Sequence, residues 1–378
     1  MGNVIHVPLY TIRHGQIGGT EFAIYNLMRG LVATGIQVRM TYGHDRDLSP
    51  DFLKWANGTS GALIQRKGGM PGSKGVRFLE ETLFQNTRRD HEWAIFPNYF
   101  CPPSFPFGHR KSCVILHDIQ YRQFPKYHSA KRRKWLDLYL PYMFDKADLV
   151  VLISNSELSL VRQHFGSKAA EKCVVIYNAI DFDRFDLSRQ SSLTRSPLSE
   201  PYILSVCHHF PHKNLSTLLE AFVKLSEGDS LTNLILVGSA SDGNRALINN
   251  SLPEHLRGRV RITGFVTDVE LGQYYAHASL FVLPSLYEGF GMPAVEALGL
   301  GVPTLVSNAF ALPEVTQGYA GLIDDALDPV AWANAMETAL RSGVRPSAAA
   351  IAHIRATYAP EQIGRSMLAA LQSCDAVA

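Results

Sequence analysis

Short apolar runs alternate with stretches of helical period through the first half of this 378-residue chain, and again through the second. That pattern leaves few folds open. A strand that reads as a continuous apolar run is buried on both faces, and a helix between two such strands returns the chain for a parallel pair. Val4–Leu9, Gln37–Tyr42, Trp93–Pro97, Cys113–His117, Leu149–Ser154 and Cys173–Tyr177 read as strands of one sheet. Tyr202–Val206, Asn233–Val237, Val260–Gly264, Leu280–Leu283 and Thr304–Ser307 read as strands of a second. Between them, Ile24, Leu27, Met28 and Leu31 recur at helical spacing behind Thr20, the expected N-cap. The fold class is therefore α/β, with two doubly wound parallel sheets.

Residues 183–201, DRFDLSRQSSLTRSPLSEP, are polar, Ser-rich and Pro-terminated, and read as the linker. The expected domains are 1–185 and 186–359, with a last helix in 360–378. Hydrophobic residues make up 46% and charged residues 19%, so the chain has a sizeable core and is not disordered. No apolar run reaches the roughly 18 residues a membrane span needs. The N-terminal MGNVIHVPLY has no basic stretch ahead of a long apolar core, so no secretory signal is expected. Cys101, Cys113, Cys173, Cys207 and Cys374 lack metal-ligand spacing and suit a reducing cytoplasm, with Cys113 and Cys173 expected inside strands. Residues 1–190 carry 25 Lys/Arg against 17 Asp/Glu, whereas residues 191–378 carry 11 against 17. A basic first half suits an anionic surface or acceptor. The modest pI of 8.2, with no recognition motif, argues against nucleic acid.

FVLPSLYEGFGMPAVEALGLG, residues 281–301, concentrates the chemistry. Phe281, Val282 and Leu283 end a buried strand. Gly289 and Gly291 bracket Phe290 and permit positive φ and close ligand approach. Pro293 suits the first helical position. Amides of residues 289–292 would then face a phosphate at a helix N-terminus. Glu288 and Glu296 flank that loop. Carboxylates accept bidentately from ribose or hexose hydroxyls. Earlier, Gly15, Gly18 and Gly19 lie between the first strand and its helix, where glycines admit a phosphate to main-chain amides.

The Glu-x7-Glu spacing around Gly-Phe-Gly resembles the donor motif of retaining glycosyltransferase family 4. The likeness is densest over Arg261–Asp324, in ITGFVTDVEL, PSLYEGFGMPAVEALGLGVPTLVS and ALPEV, with weaker echoes back to Ile17. It implies the GT-B architecture: two doubly wound Rossmann-like domains facing each other across a cleft, with the last helix packed back on the first domain. It also implies that Glu296 holds ribose hydroxyls, while Glu288 and the amides of Phe290, Gly291 and Met292 beside Gly289 hold the hexose and phosphate. His117 matches a histidine near the donor sugar. The Gly18-Gly19 turn matches one that touches the diphosphate or the acceptor. Lys213, in HHFPHKN, matches the lysine that pairs with the phosphates, a task a metal performs elsewhere. Where the family often carries an arginine just before that lysine, this chain has His208 and His209. Either His208 or His212 is a candidate second cation, which would tie activity to pH near neutrality.

The expectation is thus a retaining hexosyltransferase, catalysed by His117, Lys213 and Glu288. Its donor is a nucleotide-diphosphate sugar, with GDP-mannose the first choice. Its acceptor is a hydroxyl of a glycan or lipid-linked acceptor in cell-surface polysaccharide or lipopolysaccharide synthesis. No cofactor or metal is expected, and Asp181-Phe182-Asp183 reads as hinge structure. A sugar-nucleotide epimerase and a non-catalytic sugar-nucleotide-binding subunit are the alternatives. Lys131-Arg132-Arg133-Lys134 opens a helical pattern with Trp135, Leu138, Tyr139, Tyr142 and Met143, suited either to solvent or to the inner face of an anionic cytoplasmic membrane.

Overall fold

The computed structural model describes residues 4–9, 11–12, 14–15, 18–43, 48–67, 93–99, 111–185, 198–229, 231–239, 246, 250 and 252–377. Its first sheet holds β1 (Val4–Pro8), β2 (Gln37–Gly43), β3 (Ala62–Lys67), β4 (Trp93–Phe96), β5 (Lys111–Leu116), β6 (Leu149–Leu152) and β7 (Cys173–Val175). The second holds β8 (Tyr202–Val206), β9 (Asn233–Val237), β10 (Val260–Gly264), β11 (Leu280–Leu283), β12 (Thr304–Ser307) and β13 (Gly321–Ile323). The strands of each sheet pair in parallel, in the orders β3-β2-β1-β4-β5-β6-β7 and β10-β9-β8-β11-β12-β13. Each order reverses direction once, between β1 and β4 and between β8 and β11. Such a reversal opens a crevice at the carboxyl ends of the strands on either side of it.

The central strands explain the parallel pairing. Every residue of β4, β11 and β12 is buried, as a strand covered on both faces requires. In the second unit, Leu218, Phe222 and Trp332 pack on one side of the sheet. Tyr275, Phe281 and Ala294 belong to the cluster on the other.

The chain divides into two compact units, residues 1–180 with 358–378, and residues 181–357. It enters the second unit at Asp181, ahead of the boundary read at 185/186. The turn Phe182–Phe185 buries both of its phenylalanines in the second unit. Most of the Ser-rich linker, 186–197, lies outside the described residues, as does Cys101. In the first unit the C-terminal helix Pro360–Val377 crosses the helix Gly19–Ala33 with backbone against backbone. A Cβ on Gly30 would stand 1.9 Å from the Pro360 carbonyl oxygen, and one on Gly364 would stand 2.2 Å from the Gly30 carbonyl carbon.

Several local expectations need correction. The helix after β1 is capped by Gly18, at φ 64°, so Thr20 lies within it. Gly291 takes φ 91°, but Gly289 does not adopt positive φ. Pro293 follows Met292 rather than opening the helix Met292–Gly299. Cys113 is fully buried, whereas Cys173 is half-buried and its thiol donates to the Ala169 carbonyl. In the helix Ala130–Lys146 the buried stripe is Leu136, Leu140, Met143 and Phe144, which leaves Trp135 and Leu138 exposed.

Candidate active site

In the second unit, Lys213 follows β8 and Glu288 follows β11, the two neighbours at the reversal of strand order. Fold topology thus brings together residues 75 positions apart. Lys213 Nζ donates to Glu288 Oε1 at 2.8 Å, with the two side chains only 15% and 12% exposed. Ser285 Oγ donates to the same oxygen at 2.7 Å. Ser285 is itself fully buried, and its carbonyl accepts from Ser307 Oγ. The carboxylate is therefore held by a cation from the turn after β8 and a hydroxyl from the loop after β11.

Lys213 owes its place to a sharp local turn. Pro211–Lys213 is one 3₁₀ turn, and Asn214 then takes a left-handed conformation, φ 55°. The Asn214 amide donates to the carbonyls of Pro284 and Ala326, at 3.2 and 2.7 Å, and Asn214 Oδ1 accepts from Thr217 Oγ1. These bonds explain an asparagine at this strained position, which few side chains adopt.

Met292–Gly299 is capped by Gly291, whose left-handed conformation, φ 91°, favours glycine. An added Cβ would lie 2.6 Å from Leu312 Cδ2. Phe290 and Met292 are buried, so they support the loop from below, while Gly289 is half-exposed. Glu296, on the same helix, is 3% exposed. Its Oε1 accepts from Arg184 Nη2 at 2.6 Å and its Oε2 from the Tyr275 hydroxyl at 2.9 Å. Burial raises the Glu296 carboxyl pKa, and Arg184 is the largest opposing influence. Arg184, Tyr275 and Ser285 escaped the sequence reading. A Ser three residues before Glu288 was the one local signal.

His208, the candidate second cation, is held toward its neutral form in this structure. Its Nδ1 lies 3.1 Å from Ser239 Oγ, and burial, then the Lys213 charge, lowers its pKa. His212 is buried, with its ring stacked 5.9 Å from that of Phe210. Asp181 and Asp183 are occupied structurally. Asp181 Oδ1 accepts from the Asp183 amide at 3.1 Å, and Asp183 lies 3.4 Å from Arg355. Among the described residues, no group of three His, Cys, Asp or Glu is arranged to hold a metal ion.

The first unit carries the other candidates. His117 follows β5 and is half-buried, with Nε2 2.9 Å from the Pro97 carbonyl oxygen. Burial lowers its pKa, so the ring is neutral near pH 7. Its Nδ1 is buried with no partner among the described residues, and the residue borders a small cavity together with Ile24, Asn178 and Met367. Asp118 accepts from the Gln120 amide and shapes the loop. Gly18 and Gly19 start their helix, while Glu21, 2% exposed, accepts from the Gly15 amide and pairs with His14 Nδ1, both at 2.9 Å. A buried carboxylate thus braces the glycine turn. This brace too was missed, because a Glu in a first helical turn is ordinary.

Residues 189–354 match the family described as group 1 glycosyl transferases, and residues 17–184 match glycosyltransferase family 4. O-antigen chain mannosyltransferase B of Escherichia coli is 31% identical over 253 residues, which span 64% of this chain and 65% of that protein. Serotype-specific mannosyltransferase WbdA, also of Escherichia coli, is 32% identical over 180 residues, 46% of this chain and 22% of that protein. The match thus spans less than two thirds of either relative. Two solved structures align along nearly their whole length. Sucrose-phosphate synthase from Thermosynechococcus elongatus has a TM-score of 0.78 at 20% identity, covering 99% of this chain and 100% of that one. HepE from Anabaena, in complex with UDP and glucose, has a TM-score of 0.74 at 18% identity, covering 98% and 99%. At such identities the likeness shows the fold alone.

Proposed function

Because the chain belongs to the group 1 glycosyl transferases and has their GT-B fold, we propose that it is a retaining hexosyltransferase. The donor in this reading is GDP-mannose, and the acceptor is a hydroxyl of a cell-surface glycan or its lipid-linked precursor. The Lys213–Glu288 pair at the reversal of strand order carries the reading. Departure of a nucleoside diphosphate builds negative charge on phosphate oxygens, and a fixed ammonium stabilises that charge without a metal. Glu288 both orients the ammonium and offers lone pairs to hexose hydroxyls. Loop amides of residues 289–292 donate to the phosphate and Glu296 accepts from the ribose; in the first unit, His117, Gly18 and Gly19 are the proposed ligand contacts. The bond from the anomeric carbon to the phosphate breaks as the bond to the acceptor oxygen forms on the same face. The acceptor proton passes to the departing phosphate. The names of the relatives, an O-antigen chain mannosyltransferase and a serotype-specific mannosyltransferase, support mannose and a polysaccharide product.

An anionic membrane is the proposed partner of the first unit, at the inner face of the cytoplasmic membrane. Lys131, Lys134, Trp135 and Leu138 form one exposed face of the helix Ala130–Lys146. Trp135 is 42% and Leu138 70% exposed, and the Trp135 ring stacks 4.9 Å from that of Tyr139. Cations beside an aromatic and an aliphatic side chain suit a lipid head-group layer. Among the described residues no helix is long and apolar enough to cross a membrane.

Thermal shift against GDP, UDP, dTDP and ADP identifies the nucleotide. GDP-mannose is then incubated with and without a short mannoside acceptor, and the product is read by NMR. An α-mannoside formed only with acceptor is expected. Conversion of donor sugar without acceptor would make the protein an epimerase, and an inverted anomer would overturn retention.

A further inference from the structure

The turn Phe182–Phe185 begins one residue after the chain enters its second unit at Asp181, and its two phenylalanines are buried at 6% and 3% exposure. Phe182 packs so closely on Gly299 that a Cβ there would lie 2.1 Å from its ring. Between these anchors Arg184 is turned toward the helix Met292–Gly299. Its guanidinium lies 4.3 Å from the Phe185 ring centroid, 2.6 Å from Glu296 Oε1 and 3.9 Å from Asp268 Oδ1. On the far side of the carboxylate, Tyr275 donates to Oε2 from the helix Asp268–His277. The two donors take different oxygens. An ionised carboxylate has about four lone-pair sites, two on each oxygen. One site per oxygen is therefore left, at a separation suited to two neighbouring hydroxyls.

We propose that Arg184 is a positioning residue for donor recognition: with Tyr275 it holds the Glu296 carboxylate so that one lone pair on each oxygen remains for the vicinal hydroxyls of a ribose. The inference rests on the reading of Glu296 as the ribose acceptor. It explains why a carboxylate 3% exposed is paired at both oxygens from two separate elements. A single partner would leave it free to rotate about its last bond. Arg184 also favours the ionised form of the acceptor, as the largest influence opposing burial. The charged and titratable groups facing Glu296 are Arg184 on the turn, and Asp268 and Tyr275 on the helix. Without the guanidinium, burial and Asp268 both favour the protonated carboxyl, which loses an acceptor site and cannot serve both hydroxyls.

The test compares GDP with 2′,3′-dideoxy-GDP by calorimetry, in wild type, Arg184→Gln, Arg184→Lys, Glu296→Gln and the Arg184→Gln/Glu296→Gln double variant. Taking the ratio of the two affinities cancels the titration of the diphosphate, which both probes share. Wild type should prefer GDP by about tenfold, the loss expected when hydrogen bonds to a charged acceptor go unmade. Arg184→Gln should lose most of that preference at low pH and regain part of it as pH rises and the carboxyl ionises. Wild type should vary less over the same range. Arg184→Lys, which keeps a cation, should restore the preference. In the Glu296→Gln background the Arg184 change should add nothing, the coupling expected of residues that act as a unit. Circular dichroism and the unfolding midpoint identify folded variants, and Arg184→Lys decides the matter should Arg184→Gln not fold. A full wild-type preference in folded Arg184→Gln, or no rescue by Arg184→Lys, would overturn the proposal alone. Absence of any preference in wild type would overturn the ribose reading of Glu296, and the proposal with it.

Discussion

Lys213 and Glu288 are each largely enclosed by protein, so truncating one leaves the other charge without its partner. Lys213→Gln should lower kcat by about 10²–10³, the usual effect of removing one preorganised donor from a developing oxyanion. Wild-type turnover should survive EDTA. Loss on chelation, with recovery on adding manganese or magnesium, would transfer the leaving-group role to a metal. His208 yields a second expectation. Because its pKa is lowered, the ring has already lost its proton by pH 7. Raising pH from 7 to 8.5 therefore removes no charge there, and kcat should stay level. A fall that disappears in His208→Gln would identify the ring as a working cation. At this scale Glu288 and Glu296 were readable as candidates because they sit in a short segment with distinctive glycines, and Lys213 was readable only through the resemblance of HHFPHKN to the family's lysine segment. Their partners were not. Arg184 is 112 residues and Tyr275 21 residues from Glu296, and neither has a local signature.

Helix crossings and sheet edges set what was legible among the elements. Ten of the thirteen described strands begin at the residue expected from apolar runs, and β5 begins two residues earlier, at Lys111. β7 matches at Cys173 but ends at Val175, short of Tyr177. β3 and β13 went unread. Both lie at sheet edges, where a strand is covered on fewer sides and keeps polar or small residues. Leu63 in β3 and Leu322 in β13 are indeed about 40% exposed. The crossing of Gly19–Ala33 with Pro360–Val377 has no such excuse of composition. Gly30 and Gly364 look like ordinary helix glycines until the two backbones are seen in contact. Gly30→Ala should destabilise the first unit by about 1–3 kcal/mol, the overpacking range, because the facing atoms are backbone and cannot rotate aside. Its own higher helix propensity, about 1 kcal/mol, offsets only part of this. Scanning calorimetry should record a lowered transition for the first unit. An unchanged or raised midpoint would mean that the helices separate at little cost.

For the whole molecule, the basic excess of residues 1–190 and the exposed face of Ala130–Lys146 point the same way. Each cation near an anionic bilayer contributes about 1 kcal/mol. Changing Lys131, Arg132, Arg133 and Lys134 together to Ser should release the protein from phosphatidylglycerol vesicles in co-sedimentation, as should high salt. Transfer to a short soluble acceptor should continue. Wild-type protein left in the supernatant at low salt would reduce the cluster to a solvated helix end. The sequence by itself determined two doubly wound parallel sheets and a glycine loop leading into a helix with a carboxylate on either side. Both follow from local patterns, since burial on two faces demands continuous apolar strands and a tight turn demands glycine. Only the tertiary structure decided which groups meet those carboxylates. Strand order places β8 beside β11, which brings Lys213 to Glu288, and the turn after Asp181 brings Arg184 to Glu296. Contacts of that kind depend on how distant segments pack, and hydrophobic periodicity carries no record of them.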